Sequence, residues 1–436
     1  MARSRRGGPA ALLAASVVFA VALASGGLAG CSSNNATPTA PRALGGKDVA
    51  GARVTFAEAQ QVLSARARAL RTGDEAAFLR GIDRRDPVLV RREKTYFLNM
   101  QQLPLETFRL LVLKSQWPAA LRARTWGPGV LVPQVRVATQ LGGFDKVPVR
   151  RVTGFAIGRV GGRPVVISDR TGAGRTFPGS NPAPWDLVRV HLRVTADTLQ
   201  LYDDETWRQS GEISRILTRA IADVASGIPF PWDRHVVVYV FAKKAVVDSY
   251  EGVPGGNIQH LGAMTFPMYS VLGQPAIAGT RFTLLPSSLQ AGEPFLDRIV
   301  RHELTHVAVG VRDDGAPIWI AEGIAEYMGA RDIPSEDRRI ATVAISRAKG
   351  PIGGMPASAT FNGPDQAWNY ALSWMACDYI VASQGEARLW ELMAALHANG
   401  AGTPDADQDA VLESVIGLDS HQLAVRAAHR IRGIYG

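Results

Sequence analysis

The chain has 436 residues, of which 46% are apolar and 20% are charged, so it has the length of two or three folded units and is too apolar to be mainly disordered. Its two cysteines, Cys31 and Cys377, exclude a disulfide scaffold and a thiolate metal cluster. Charge is uneven, since residues 1–189 hold 28 Lys and Arg against 11 Asp and Glu, and the remainder is acidic. The excess of positive charge in residues 1–189 is compatible with binding to an anionic membrane surface. The alternative is that these charges only lie on solvent-exposed helix faces. No motif predicts a nucleic-acid partner.

The first thirty residues predict an export signal. Three arginines within the first six residues precede an apolar run over 9–24, which is shorter than the roughly 20 residues of a membrane span. The run leads to Leu28-Ala29-Gly30-Cys31, which resembles the bacterial lipoprotein signal box. That resemblance implies cleavage before Cys31, diacylation of its thiol, and a polar tether over 31–51 at the outer face of the cytoplasmic membrane. The alternative is an ordinary signal peptide with an incidental cysteine.

Residues 52–185 predict an α+β domain in which helices pack on a sheet. Apolar residues recur at helical spacing over 56–70, and a second helix is expected over 94–103. Strand patterns follow at 107–114, 130–139, 148–158 and 164–169. This order of elements loosely resembles the cone-shaped nuclear-transport-factor-like fold. We find no catalytic constellation here, which favours a binding or regulatory role, and a Gly/Pro-rich stretch over 171–185 is expected to end the domain.

The sequence His302-Glu303-Leu-Thr-His306 lies in a predicted helix over 295–309, framed by Pro294 and Gly310. Two histidines four residues apart project from one side of a helix and can bind one Zn²⁺. Glu303 beside them is placed to act on a water as general base. On an exposed helix without a third ligand the same motif would be a solvated surface, so the motif needs support elsewhere in the chain.

A second predicted helix, over 317–329, gives that support. Glu322 and Glu326 stand on one face of this largely apolar segment. A buried carboxylate is costly unless it is paired or bound to a cation. One of the two can therefore ligate zinc while the other hydrogen-bonds a ligand histidine.

Together the two segments resemble the gluzincin metallopeptidases, more closely the membrane-linked MA-like group, in which His-Glu-x-x-His is followed by a helix reading Trp-x-x-Glu-Gly. Trp319-Ile-Ala-Glu322-Gly323 matches that helix, which implies Glu322 as the third ligand. Glu326 matches the acid that orients the first histidine, and it is the alternative third ligand. The resemblance implies a zincin-like peptidase domain over 186–436 with a helical C-terminal half, expected here as helices over 386–398, 408–416 and 420–434.

A helix expected after Pro364-Asp365 resembles the downstream gluzincin helix that carries a catalytic tyrosine. Tyr370 matches that tyrosine, which implies that its hydroxyl stabilises the oxyanion of the reaction. The alternative is an aromatic side chain that caps the core at the start of the helix.

Strands are predicted over 236–241 and 280–286, and the second is expected to be the sheet edge that binds extended peptide. Gly262-Ala-Met-Thr265 is similar to the aminopeptidase signature that anchors a free N-terminus, but the Glu-Asn of that signature does not follow it. This difference disfavours an exopeptidase.

These observations predict a lipid-anchored, extracytoplasmic zinc metallopeptidase that hydrolyses peptide or protein substrates as an endopeptidase. The alternative is a lipid-anchored envelope binding or assembly protein whose zinc site is structural or inactive. Glu303 argues against this alternative, because a structural zinc site does not need a base beside the metal.

Overall fold

The structure is a computed structural model. It describes residues 53–116, 125–127, 129–250, 261–271, 276–313, 315–399 and 405–436. The predicted signal peptide over 1–30 and the tether over 31–51, with Cys31, lie outside these residues and stay predictions. Within the described ranges, every helix is too short or too polar to cross a membrane.

The first half of the chain is a layer of helices on antiparallel strands. Its elements are α1 (Phe56–Arg71), α2 (Glu75–Arg80), α3 (Pro87–Gln102), β1 (Leu105–Gln116), β2 (Pro133–Leu141), β3 (Val149–Gly154), β4 (Ala156–Val160), β5 (Arg163–Ser168) and the short α4 (Pro184–Leu187). Strands β1, β2 and β3 form one antiparallel sheet, and β4 pairs with β5 in a second. Burial alternates along β2, as expected for a sheet whose two faces differ.

Local capping explains where the first helices begin. The side chains of Thr55 and Glu58 form a capping box at the start of α1, which confirms the predicted helix. Helix α3 begins earlier than the predicted residue 94, because the Asp86 carboxylate accepts hydrogen bonds from the backbone N–H groups of Val88 and Leu89. Pro87 then occupies the first turn, where its missing N–H has no helical partner to lose.

The single strand predicted over 148–158 is wrong. The chain leaves the first sheet after Gly154 and enters the second at Ala156, so β3 and β4 belong to different sheets. Glycine weakens a strand interior and often marks such a bend.

The second half of the chain consists of a five-stranded sheet followed by helices. Its elements are β6 (His191–Val194), β7 (Thr198–Tyr202), α5 (Ser210–Gly227), β8 (Val236–Val240), α6 (Lys244–Val247), β9 (Ala263–Tyr269), β10 (Ile277–Leu284), α7 (Pro286–Gln290), α8 (Glu293–Val309), α9 (Ile318–Ala330), α10 (Thr342–Arg347), α11 (Gln366–Gln384), α12 (Glu386–Ala398), α13 (Asp405–Ile416) and α14 (Ser420–Tyr435). The expected α+β class with a helical C-terminal half is confirmed.

The strand predicted over 280–286 is not an edge. The sheet order is β6-β7-β8-β10-β9, with β10 parallel to β8 on one side and antiparallel to β9 on the other. Among the described strands the edge next to α8 is therefore β9. Pro267 in β9 has no N–H to donate to a further strand, which suits an edge position.

Both faces of the five-stranded sheet are buried. Along β8, Val236, Val238 and Val240 pack with helices α5, α8, α9 and α11. Val237 and Tyr239 face the opposite way, into the apolar core formed by α1, α3 and the first sheet. That second core extends across residue 185, and the predicted division into domains over 52–185 and 186–436 stays a prediction.

Candidate metal centre

Helix α8 places the two histidines in the interior of the protein. It runs from Glu293 to Val309 with Pro294 in its first turn, and Gly310 ends it with a φ of 58°, a conformation that glycine adopts easily. His302 and His306 are 2% and 3% exposed. A solvated surface face is therefore excluded for this motif.

Helix α9 brings Glu322 against both imidazoles. Its carboxylate Oε2 lies 3.4 Å from His302 Nε2 and 3.5 Å from His306 Nε2, and the two Nε2 atoms are 3.1 Å apart. A tetrahedral zinc ion with bonds of about 2.0–2.1 Å holds neighbouring ligand atoms about 3.3 Å apart. The three atoms therefore have the spacing of three ligands on one small cation, and these residues form a group that can hold a metal.

Close helix packing explains the glycine after Glu322. A Cβ at Gly323 would lie 2.6 Å from the Ser373 carbonyl oxygen and 2.7 Å from Cys377 Sγ on α11. Only a residue without a side chain lets α9 approach α11 this closely. The Glu-Gly pair in the sequence thus combines a candidate ligand with the glycine that lets its helix pack closely.

The other nitrogen of each histidine faces a carboxylate. His306 Nδ1 is 2.8 Å from Asp313 Oδ2, and His302 Nδ1 is 3.4 Å from Glu326 Oε1. A carboxylate on Nδ1 favours the tautomer whose Nε2 lone pair can bind a metal. Glu326 thus lies on the outer side of His302, whereas Glu322 lies between the two Nε2 atoms.

The charges of the centre also favour a cation. Burial opposes ionisation of Glu322, but the neighbouring His306 and His302 lower its pKa to about 2. Burial by itself would lower the pKa of His302, but Glu322 and Glu326 raise it to about 9. The carboxylates therefore favour positive charge at the imidazoles, and a bound divalent cation supplies that charge while keeping both imidazoles neutral.

Glu303 is fully buried next to this group. Burial raises its pKa to about 7, against the opposing effect of His302 and His306. The Thr265 hydroxyl of edge strand β9 donates a hydrogen bond to Glu303 Oε2, while Glu303 Oε1 has no hydrogen-bond partner among the described residues. One carboxylate oxygen is thus fixed and the other is available to accept a proton.

Tyr370 of α11 also lies at this group, with a side chain that is 5% exposed. Burial and the nearby Glu322, Glu326 and Glu303 carboxylates raise the pKa of its hydroxyl. Its ring packs against Phe361 with centroids 5.0 Å apart. The hydroxyl therefore keeps its proton, and its role as an oxyanion donor stays a prediction.

Three residues of the centre were assigned no role there by the sequence analysis, although one of them, Thr265, ends the Gly262-Ala-Met-Thr265 segment named above. They are Asp313, Thr265 and Arg298, whose Nη2 lies 2.6 Å from Glu326 Oε2 and whose guanidinium stacks 4.4 Å above the Trp374 ring. Only Arg298 carries a local signal, because it lies four residues before His302 on the same helix face.

We expect Asp313→Ala to weaken zinc binding by about 10–100-fold, since it removes the carboxylate that fixes the His306 tautomer. Competition with a chromophoric chelator measures the affinity. Asp337→Ala, which removes an exposed carboxylate outside the centre, is the control and should leave the affinity unchanged. Equal affinities for the two variants would show that Asp313 does not support the metal.

No protein-family model and no curated protein matches the chain. Among solved structures, it is similar to a mutant M1 zinc metallopeptidase from Deinococcus radiodurans (TM-score 0.32, 10% identity, 69% of this chain and 90% of that one). It is also similar to that mutant bound to a Tyr-Ser-Ala substrate (TM-score 0.33, 12% identity, 69% and 90%). A third similar structure is a two-domain M1 zinc metallopeptidase mutant bound to L-arginine (TM-score 0.30, 12% identity, 70% of this chain and 89% of that one).

Proposed function

We propose that this chain is a zinc-dependent endopeptidase, anchored by a lipid on Cys31 at the outer face of the cytoplasmic membrane. The spacing of the His302, His306 and Glu322 ligand atoms, 3.1–3.5 Å apart, with Glu303 beside them, is the observation that supports it. The lipid anchor and the location rest on the sequence around Cys31 alone.

The three ligands are proposed to hold zinc, which when bound supplies the Lewis acidity that activates water and polarises a carbonyl. Glu303 Oε1 accepts the proton of the attacking water and delivers it to the leaving amine. Thr265 holds Glu303 Oε2 and so orients the carboxylate for this transfer. Tyr370 donates from its hydroxyl to the oxyanion of the substrate.

The edge strand β9 supports internal cleavage. Extended peptides bind sheet edges through backbone hydrogen bonds, and β9 is the edge that carries Thr265. Its residues, Ala263–Tyr269, include no carboxylate that could bind a free terminal amine. The predicted preference for endopeptidase over exopeptidase activity follows from this composition.

Metal removal tests the proposal. We expect purified protein to contain about one zinc per chain, to cleave a peptide library at internal bonds, and to lose cleavage on treatment with 1,10-phenanthroline. Added Zn²⁺ should restore it. Cleavage that persists in metal-free protein, or metal-loaded protein that cleaves nothing in the library, would contradict the proposal, and the second result would favour a structural or inactive zinc site.

The role of Tyr370 is tested by Tyr370→Phe. We expect kcat to fall by about 10²–10³-fold, the usual effect of losing one oxyanion donor, with metal content unchanged. Tyr379→Phe, on the same helix, should retain full kcat. If Tyr370→Phe lowers thermal stability but leaves kcat unchanged, the tyrosine only packs the core.

A further inference from the structure

A cavity of about 260 Å³ lies in the first half of the chain, apart from the metal centre. It is lined by residues of α1, α3, β1–β3 and α4 and by residues 155, 169–170 and 188–189, all within the described residues. Its size is close to the lower end of small-molecule pockets, which is about 300 Å³. None of the residues proposed to bind metal or act in catalysis lines it.

The wall of this cavity is strongly cationic. Six arginines line it, at positions 66, 91, 92, 151, 170 and 189, against three carboxylates, Glu93, Asp169 and Asp186. Arg66 and Arg151 are each only 3% exposed. The two buried arginines pair with Glu93 and Asp186, and Asp169 pairs with both Arg92 and Arg170. With Arg91 and Arg189 exposed at its edge, the cavity keeps an excess of positive charge that favours an anion.

Two buried donors in the wall have no acceptor within the part of the chain that the structure describes. Arg66 forms an ion pair with Glu93 through Nη2, but its Nη1 has no hydrogen-bond partner among the described residues. The same holds for Nε1 of Trp185, which is 5% exposed. Buried polar atoms are usually paired, so two such donors in one cavity indicate an acceptor that binds there.

Aromatic and aliphatic side chains form most of the remaining wall. The rings of Tyr96, Phe155 and Trp185 line the cavity, and the Arg151 guanidinium lies 5.7 Å from the Trp185 ring. Guanidinium groups recognise carboxylate and phosphate oxygens through paired hydrogen bonds, while aromatic rings stack on planar groups.

We propose that this cavity binds a small organic anion that carries a carboxylate or phosphate head on a flat apolar body. The head accepts hydrogen bonds from the Arg66 and Trp185 donors, and the body lies against the aromatic rings.

Titration calorimetry of the full chain with four probes tests this. Benzoate and phenyl phosphate carry the two anionic heads, benzamide is the neutral match of benzoate, and benzylamine is the cation. We expect saturable binding of at least one anion at millimolar concentration or below, at least about tenfold tighter than benzamide, with no binding of benzylamine. The proposal would be overturned if neither anion binds, or if benzamide binds as tightly as the anions do.

Because anions also bind metals, a second experiment assigns the binding to the cavity. The double variant Arg66→Met/Glu93→Leu replaces the buried ion pair with apolar side chains, a change that proteins often tolerate, and it leaves the metal centre intact. We expect a retained circular dichroism spectrum and about tenfold weaker anion binding. Undiminished binding in the folded variant would overturn the proposal.

A milder variant covers the case in which the double variant does not fold. Arg91→Gln changes an exposed residue that lines the cavity, and Arg84→Gln changes an exposed arginine that does not. We expect Arg91→Gln to bind the anion about threefold more weakly, and Arg84→Gln to bind it with unchanged affinity. Equal effects of the two changes would indicate a general response to charge and would contradict a specific site.

Discussion

Replacing Glu303 by Gln is expected to reduce kcat for peptide hydrolysis by about 10³-fold or more while the bound zinc remains. Glutamine has the shape of glutamate but cannot accept the proton of the attacking water, and a positioned general base contributes about 10²–10⁴-fold. The proposed ligands His302, His306 and Glu322 are unchanged, so the metal content should not fall. Steady-state kinetics on a cleaved library peptide, with metal analysis of the same sample, measures both quantities.

Glu293→Gln is the matched control, because Glu293 belongs to the same helix and its side chain is 48% exposed. It should retain full kcat. Full activity of the Glu303→Gln variant would exclude Glu303 as the general base. Loss of zinc together with activity would instead mean that Glu303 acts through the metal ligands.

The two helices of the centre could be predicted because their signals are local. His302 and His306 lie one turn apart, and the second helix begins after a proline with its two glutamates on one face. The observed helices, α8 and α9, begin and end within two residues of the predicted bounds. Periodicity and capping decide such elements without reference to the rest of the fold.

The residues that surround the centre could not be predicted in the same way. Asp313 reaches His306 because the chain turns back at Gly310, beyond the end of the helical pattern. Thr265 reaches Glu303 from a strand 38 residues earlier, which depends on β9 being the edge. That sheet order follows from long-range pairing, and the mixed apolar and polar residues of β10 do not distinguish an edge strand from an interior one.

The largest expected effect on metal binding belongs to Glu322→Gln. An amide carries no charge and is a poor ligand for zinc, so we expect the affinity to fall by more than about 100-fold, with peptidase activity lost in parallel. Glu326→Gln should weaken binding less, by about 10–100-fold, because Glu326 only orients His302 from the side of Nδ1. Chelator competition on both variants gives the two affinities under the same conditions.

The order of these two affinities decides which glutamate is the ligand. Glu326 also pairs with Arg298, so Glu326→Gln leaves that buried guanidinium without its charged partner and is expected to lower the thermal unfolding temperature as well. Stability therefore has to be measured beside affinity, so that weak binding is not confused with partial unfolding. If folded Glu326→Gln binds zinc more weakly than folded Glu322→Gln, the third ligand is Glu326, and the assignment from the Nε2 distances is wrong.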